Sequence, residues 1–208
     1  GKVLQMALRL GELDKLKIEN MREQNRELMA ERKRNEKEFG LLAVSTGEGI
    51  DELFRALAVD ALISGGQTMN PSTEDIVEAV LATPAKTVFV LPNNKNIILA
   101  AEQAVPLVTD RKIIVVPTRT IPQGLSALLS FDPDASADEN ASAMLSAAEN
   151  VATGTVTFAA RDSEFGGFKI KEGDTMGMTN GKLEFVGDTP VRSVYKVAKA
   201  LMNKHTSF

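Results

Sequence analysis

Thr87-Val88-Phe89-Val90-Leu91-Pro92-Asn93-Asn94-Lys95-Asn96-Ile97-Ile98 decides the fold. Its first five residues carry no polar alternation, the pattern of a strand covered on both faces. Pro92-Asn93-Asn94 ends that run with turn chemistry. Ile97, Ile98, Ala101 and Val105 then recur at helical spacing. The same strand–loop–helix order stands on either side. Leu41-Leu42-Ala43-Val44 passes through Ser45-Thr46-Gly47-Glu48-Gly49 into Ile50, Leu53, Phe54 and Leu57. Ala61-Leu62-Ile63 precedes a helix marked by Ile76, Val77, Val80 and Leu81. Lys112 to Val116 precedes one bearing Leu125, Leu128 and Leu129. Buried strands alternating with helices predict an α/β fold, a mostly parallel sheet with helices on both faces.

If these strands are parallel neighbours, the loops that follow them share one edge of the sheet. In open α/β folds that edge binds ligands. Three of the loops are rich in polar groups: Gly65 to Thr73, Pro92 to Asn96 and Pro117 to Gly124. Helix capping accounts for part of this. Ser72 with Asp75, Thr120 with Gln123, and Asn93 or Asn94 each suit a helix start. The surplus over capping makes Gln67, Thr68, Asn70, Asn93, Asn94, Lys95, Thr118, Arg119 and Thr120 the candidate ligand- or partner-binding residues. Helix N-termini with spare hydroxyls and a cation suit a phosphate, a carboxylate or a polar partner surface.

A chain of 208 residues can bury a sizeable core. The absence of cysteine excludes disulfides and thiolate chemistry, and fits a cytoplasmic location. A net charge of -4 argues against a nucleic-acid surface. No apolar run approaches the roughly 20 residues that span a bilayer. There is no phosphate loop ending in Gly-Lys-Ser/Thr, no Gly-x-Ser-x-Gly elbow and no set of closely spaced aspartates for a metal. The only histidine, His205, lies near the chain end and reads as a surface residue. Asp132 and Asp134 flank Pro133 in a turn. Arg161, Asp162 and Glu164 read as a solvated cluster.

Residues 1–40 read as a linker helix from a preceding domain. Asp14 to Glu38 holds eight Lys or Arg against seven Asp or Glu, with a thin stripe of Leu10, Leu13, Leu16, Met21 and Leu28. Such a helix packs weakly alone, and dimerisation through it is one further possibility. Residues 41–150 form the parallel α/β domain, closing on an alanine-rich helix from about Ala137 to Asn150. Residues 151–208 form a β-hairpin region and closing helix. There Thr155 to Ala159, Phe168 to Ile170, Thr175 to Thr179 and Leu183 to Val186 read as strands. Asn180-Gly181 is a hairpin turn. Thr189 and Pro190 start the last helix, whose expected buried stripe is Val191, Val194, Ala198, Leu201 and Met202.

The three loops in this order, with Lys17-Ile18-Glu19-Asn20-Met21-Arg22-Glu23-Gln24 ahead of them, resemble the C-terminal region of the A component of bacterial fatty acid kinases, a dihydroxyacetone-kinase-like family. The resemblance covers nearly the whole chain and implies an α/β fold related to the DegV type. It implies a two-component kinase that makes acyl phosphate, with ATP and Mg bound on an N-terminal domain absent from this sequence. The implied partner is a DegV-type acyl-binding protein carrying a fatty acid. This region would then dock that carrier and position its substrate, and the chain alone would be inactive. Thr68, Asn70, Asn93, Asn94, Lys95, Thr118 and Thr120 are the motif positions carried over, with roles unassigned. The alternative is a small-molecule domain binding a phosphorylated or carboxylated ligand in the same crevice.

Overall fold

The computed structural model describes residues 36–65, 70–187 and 189–202, and the described residues from Lys37 onward group as one compact unit. Of the expected linker helix, all but 36–40 lies outside the described residues, as does His205. Residues 37–40 are not helical. They open strand β1 (Lys37–Ser45), which pairs with β3 (Ala85–Leu91) from Lys37↔Ala85 to Ala43↔Leu91. Two contacts draw the strand back this far. Phe39 packs against Phe89 and Phe131, with ring centroids 5.8 Å away in both cases. Gly40 lets the chain pass where a Cβ would come 2.6 Å from Thr83 Cγ2.

Strands β2 (Ala61–Ser64) and β4 (Lys112–Val115) complete a four-stranded parallel sheet in the order β2-β1-β3-β4. The connection from β1 runs outward to β2, and the next crosses back over β1 to β3. The direction of winding therefore switches between β1 and β3. Five helices cover the sheet: α1 (Glu48–Ala56), α2 (Thr73–Ala82), α3 (Lys95–Ala104), α4 (Ile121–Leu129) and α5 (Ala137–Glu149). One core layer joins Leu42, Val44, Val88 and Val90 to Ile76 and Val80 of α2 and Ile97 and Ala101 of α3. The other joins Leu41, Ala43, Phe89 and Leu91 to Phe54 of α1, Ala127 and Leu128 of α4, and Met144 and Ala148 of α5. The α/β fold is as the apolar runs predict. Both faces of β1 and β3 are buried, which is why neither strand alternates in polarity.

Residues 154–186 build separate sheets. Strands β5 (Gly154–Phe158), β8 (Thr175–Thr179) and β9 (Lys182–Val186) form an antiparallel sheet in the order β5-β8-β9. The pair β6 (Ser163–Phe165) and β7 (Phe168–Ile170) forms a second one. Asn180 and Gly181 both take positive φ, 48° and 80°, as a tight hairpin turn between β8 and β9 requires. Helix α6 (Pro190–Leu201) starts at Thr189, whose side chain accepts from Arg192 N.

Of the expected inner stripe of α6, only Leu201 turns inward, half-buried against Gly154. Ser193 and Val197 are the buried residues, whereas Val191, Val194, Tyr195 and Met202 are 80%, 55%, 67% and 52% exposed. The reason is shape. Val197 fits a notch over two glycines: a Cβ on Gly154 would lie 2.3 Å from Val197 Cγ1, and one on Gly177 2.9 Å from Val197 Cγ2. The helix sits so close to its sheet that only a narrow seam turns inward.

Two helices of the main domain carry reciprocal capping boxes. Ser72 and Asp75 cap α2, and Ser136 and Glu139 cap α5. Hydrogen bonds from Ser72 hold the Asp75 carboxyl below its usual range, and those from Ser136 do the same for Glu139. A carboxylate depressed in the folded state adds stability that is complete above its unfolded pKa and disappears as pH falls through the folded value. We therefore expect a carbon-detected NMR titration to find Asp75 and Glu139 among the later carboxyls to protonate on acidification. Ser72→Ala keeps the backbone N–H that bonds Asp75 and removes only the hydroxyl, so it should raise the Asp75 pKa part of the way toward the ordinary aspartate range and lower the thermal midpoint by a few degrees. A native Asp75 already titrating at the ordinary value would contradict this account.

Candidate functional site

The loops after β1, β2, β3 and β4 all leave the carboxyl edge of the parallel sheet, and the switch of winding lies between the first and third of them. At the centre stands Asn93. Its backbone is left-handed, φ 54°, a conformation that asparagine tolerates better than most residues. Its side chain turns into the fold and is buried. Asn93 Nδ2 donates to Val44 O at 2.9 Å, which ties the end of β3 to the end of β1. Thr118 Oγ1 donates to Asn93 Oδ1 at 2.8 Å and accepts from Asn93 N at 3.0 Å, which ties in the loop after β4. Gly124, in the first turns of α4, makes room for this amide: a Cβ there would stand 2.0 Å from Asn93 Oδ1.

Asn93 and Thr118 therefore spend their polar groups inside the protein, and neither presents them to a ligand. Asn94 caps α3, its Oδ1 accepting from Asn96 N at 3.0 Å. Thr120 caps α4, accepting from Gln123 N, and its hydroxyl meets that of Thr153 at 2.8 Å. That contact joins the carboxyl edge to the start of β5. Gln123 Oε1 accepts from Arg119 N at 2.8 Å, so the loop bearing Arg119 is fastened at its backbone while the residue stays exposed. Lys95, at the first position of α3, and Asn70, just ahead of the α2 cap, are also exposed. Gln67 and Thr68 lie outside the described residues. The predicted set thus divides: Asn93 and Thr118 are buried tethers, Asn94 and Thr120 are caps, and Asn70, Lys95 and Arg119 face outward.

One residue at this edge was not visible from the sequence. Ser45 ends β1 and is buried, yet its hydroxyl has no hydrogen-bond partner. The two-residue strand repeat puts it on the same face as Ala43, the face that α1 covers. Beyond it, α1 starts at Gly47 (φ 88°) without a side-chain cap, and the first turn carries Glu48 and Asp51. A serine after four apolar residues is an ordinary strand end in sequence, and only the packing reveals its hydroxyl as unsatisfied. Beside β2, Leu62, Ile63, Pro71, Asp75 and Ala79 line an open groove of about 440 Å³. Among the described residues, no three His, Cys, Asp or Glu side chains converge as a metal site would require. None of the described helices is long and apolar enough to cross a membrane.

A doubly wound parallel sheet with a rim of exposed cations and caps, joined to a small antiparallel sheet, is the class of protein that this geometry defines. The chain belongs to the FakA-like family, the C-terminal domain of fatty acid kinase A-like proteins, whose model matches residues 40–208. It is 49% identical over 191 residues to protein YloV of Bacillus subtilis, covering 88% of this chain and 34% of that protein. It is 42% identical to protein SH1689 of Staphylococcus haemolyticus, covering 98% of this chain and 39% of the relative. It is 44% identical to protein SAUSA300_1119 of Staphylococcus aureus, covering 88% and 34%. The chain thus spans between a third and two fifths of the length of these relatives. A solved phosphotransferase component EIIA from Streptococcus agalactiae aligns at a TM-score of 0.38 and 16% identity, over 53% of this chain and 92% of that one, and has no bearing on function.

The tether and the rim respond differently to mutation. Asn93→Gly keeps the left-handed backbone but deletes two buried hydrogen bonds and strands Val44 O. We expect it to cost about 2–3 kcal/mol in denaturant unfolding. Lys95→Ala should stay within about 0.5 kcal/mol of the parent. Equal stability of Asn93→Gly and the parent would remove Asn93 from its structural role.

Proposed function

We propose that this chain is the carrier-docking and substrate-positioning domain of a two-component fatty acid kinase, in which ATP-dependent formation of acyl phosphate takes place with the nucleotide held on another domain. The observation that carries this reading is the division of labour at the carboxyl edge. Buried Asn93, Thr118 and Gly124 lock the loops, and the locked loops project Lys95 and Arg119 outward. A rigid rim bearing two cations suits the docking of a protein that presents a carboxylate, and later an acyl phosphate. Family membership supplies the kinase context.

The work of such a domain is proximity. A docked carrier has its fatty acid carboxylate held near the γ-phosphate rather than meeting it by diffusion. Lys95 and Arg119 oppose the negative charge that both reactants bring to the same place. The described residues do not fit a Mg–ATP site, since they hold neither a phosphate loop nor a converging set of carboxylates.

A second reading, a small carboxylated or phosphorylated ligand bound directly at this edge, draws on the same exposed Lys95 and Arg119 beside the N-termini of α3 and α4. Thermal shift of the isolated chain separates the two, because a ligand of the native state must raise the midpoint. A rise with small anions and none with the acyl-loaded carrier selects the second reading.

For the leading reading, Lys95→Ala combined with Arg119→Ala in the full-length protein should lower kcat/KM for carrier-presented fatty acid by at least about tenfold, some 1.4 kcal/mol, with KM for ATP unchanged. Wild-type acyl-phosphate formation and carrier binding in this double variant would refute it.

A further inference from the structure

Helix α6 turns a continuous apolar stripe to solvent. Val191, Val194, Tyr195, Ala198 and Met202 follow the i, i+3, i+4, i+7, i+11 spacing of one helix face, and all five are exposed. The 12-residue helix is about 18 Å long, so the stripe runs its full length. Beside it, Phe158 is 61% exposed and lies on the same face of β5 as Gly154, which touches Val197 and Leu201. The charges are one-sided. Arg192, Lys196 and Lys199 line the flank of the stripe away from β5, with Lys196 standing 5.4 Å from the centroid of the Phe185 ring, and the helix contains no Asp or Glu. In a chain of net charge -4, this is a local excess of cations.

We propose that α6 is a docking ridge that seats in an apolar groove with one carboxylate-lined wall, on the surface of a partner protein. A helix offering anchors at this spacing fits a groove as amphipathic recognition helices do, and the basic flank sets its orientation. Charge selects this occupant over others. Two copies packed stripe to stripe would bring cations and apolar groups together with no α6 carboxylate to oppose them. An anionic bilayer would attract three side chains while repelling a chain that is negative overall, and the stripe lacks the Trp, Phe and Leu that anchor interfacial helices. Position links this ridge to the rim. Thr120 meets Thr153, Gly154 follows it, and Gly154 touches Val197 and Leu201 in the C-terminal half of α6. The choice of partner rests on the kinase reading above: one docked carrier would meet both Lys95 and α6.

Tyr195 is the only tyrosine in the chain, and it sits on the stripe. Incorporation of 3-fluorotyrosine therefore gives a single ¹⁹F resonance that reports on α6 alone. Titration with an unlabelled acyl-loaded DegV-type protein should shift and broaden that line. In a parallel binding titration, Val194→Glu should raise Kd at least about tenfold. Lys199→Glu should raise it about threefold and flatten its salt dependence. Both side chains are exposed, so unchanged thermal midpoints confirm that the variants fold. If the parent binds the carrier, Lys95→Ala weakens binding and both α6 variants bind normally, the ridge is refuted and the kinase reading stands. If the parent does not bind the carrier at all, the kinase reading fails and the proposed occupant fails with it. Two further results would overturn the ridge: self-association in ultracentrifugation that Val194→Glu abolishes, or binding to phosphatidylglycerol vesicles that the same variant abolishes.

Discussion

The amide of Asn93 holds the carboxyl edge together. Three strands end within reach of it, and each would otherwise leave backbone or hydroxyl groups buried and unpaired. Donation to Val44 O closes the gap between β1 and β3, and exchange with Thr118 Oγ1 closes the gap to the loop after β4. The arrangement demands an asparagine in a left-handed conformation and a glycine at position 124. Because a buried amide left half-satisfied costs more than it contributes when paired, these residues act as a unit. The loops are thereby stiff, and what they project is set by the few side chains left over.

That economy gives the protein two exposed chemistries with different origins. At the rim, Lys95 and Arg119 remain exposed after the capping and tethering groups have been used. On the antiparallel sheet, α6 exposes apolar residues because its contact with the sheet is too close for large side chains. Glycines at 154 and 177 admit Val197, and Ser193 fills the seam nearby with its hydroxyl buried and unpaired. A helix on two glycines packs tightly through few atoms, and its more apolar face is left free. The Thr120–Thr153 contact connects the two regions.

The fold was largely legible in the residues. Uninterrupted apolar runs at Leu41–Val44 and Thr87–Leu91 announced strands buried on both faces, and Ser72-x-x-Asp75 announced a helix start that forms as read. The site was legible only in part. The rule that polar residues cluster after strands gathered these loops on one edge, but it treated Asn93 and Thr118 as equivalent to Lys95. Nothing in their spacing reveals that two of the three turn inward, because Asn93 and Thr118 are 25 residues apart and meet only through strand pairing. Ser45 escaped notice for the same reason. The stripe of α6 misled because helical periodicity marks an apolar face without saying what lies against it.

By itself, then, the sequence determined the alternation of elements, the parallel sheet, the caps and the edge at which the loops gather. These follow from short-range periodicity and from backbone groups that need local partners. Tertiary structure alone decided which polar side chains serve the fold, which serve the surface, and which face of the last helix is buried. Those outcomes depend on distances across strands and on the space left by single glycines, and both exist only once the chain has closed on itself.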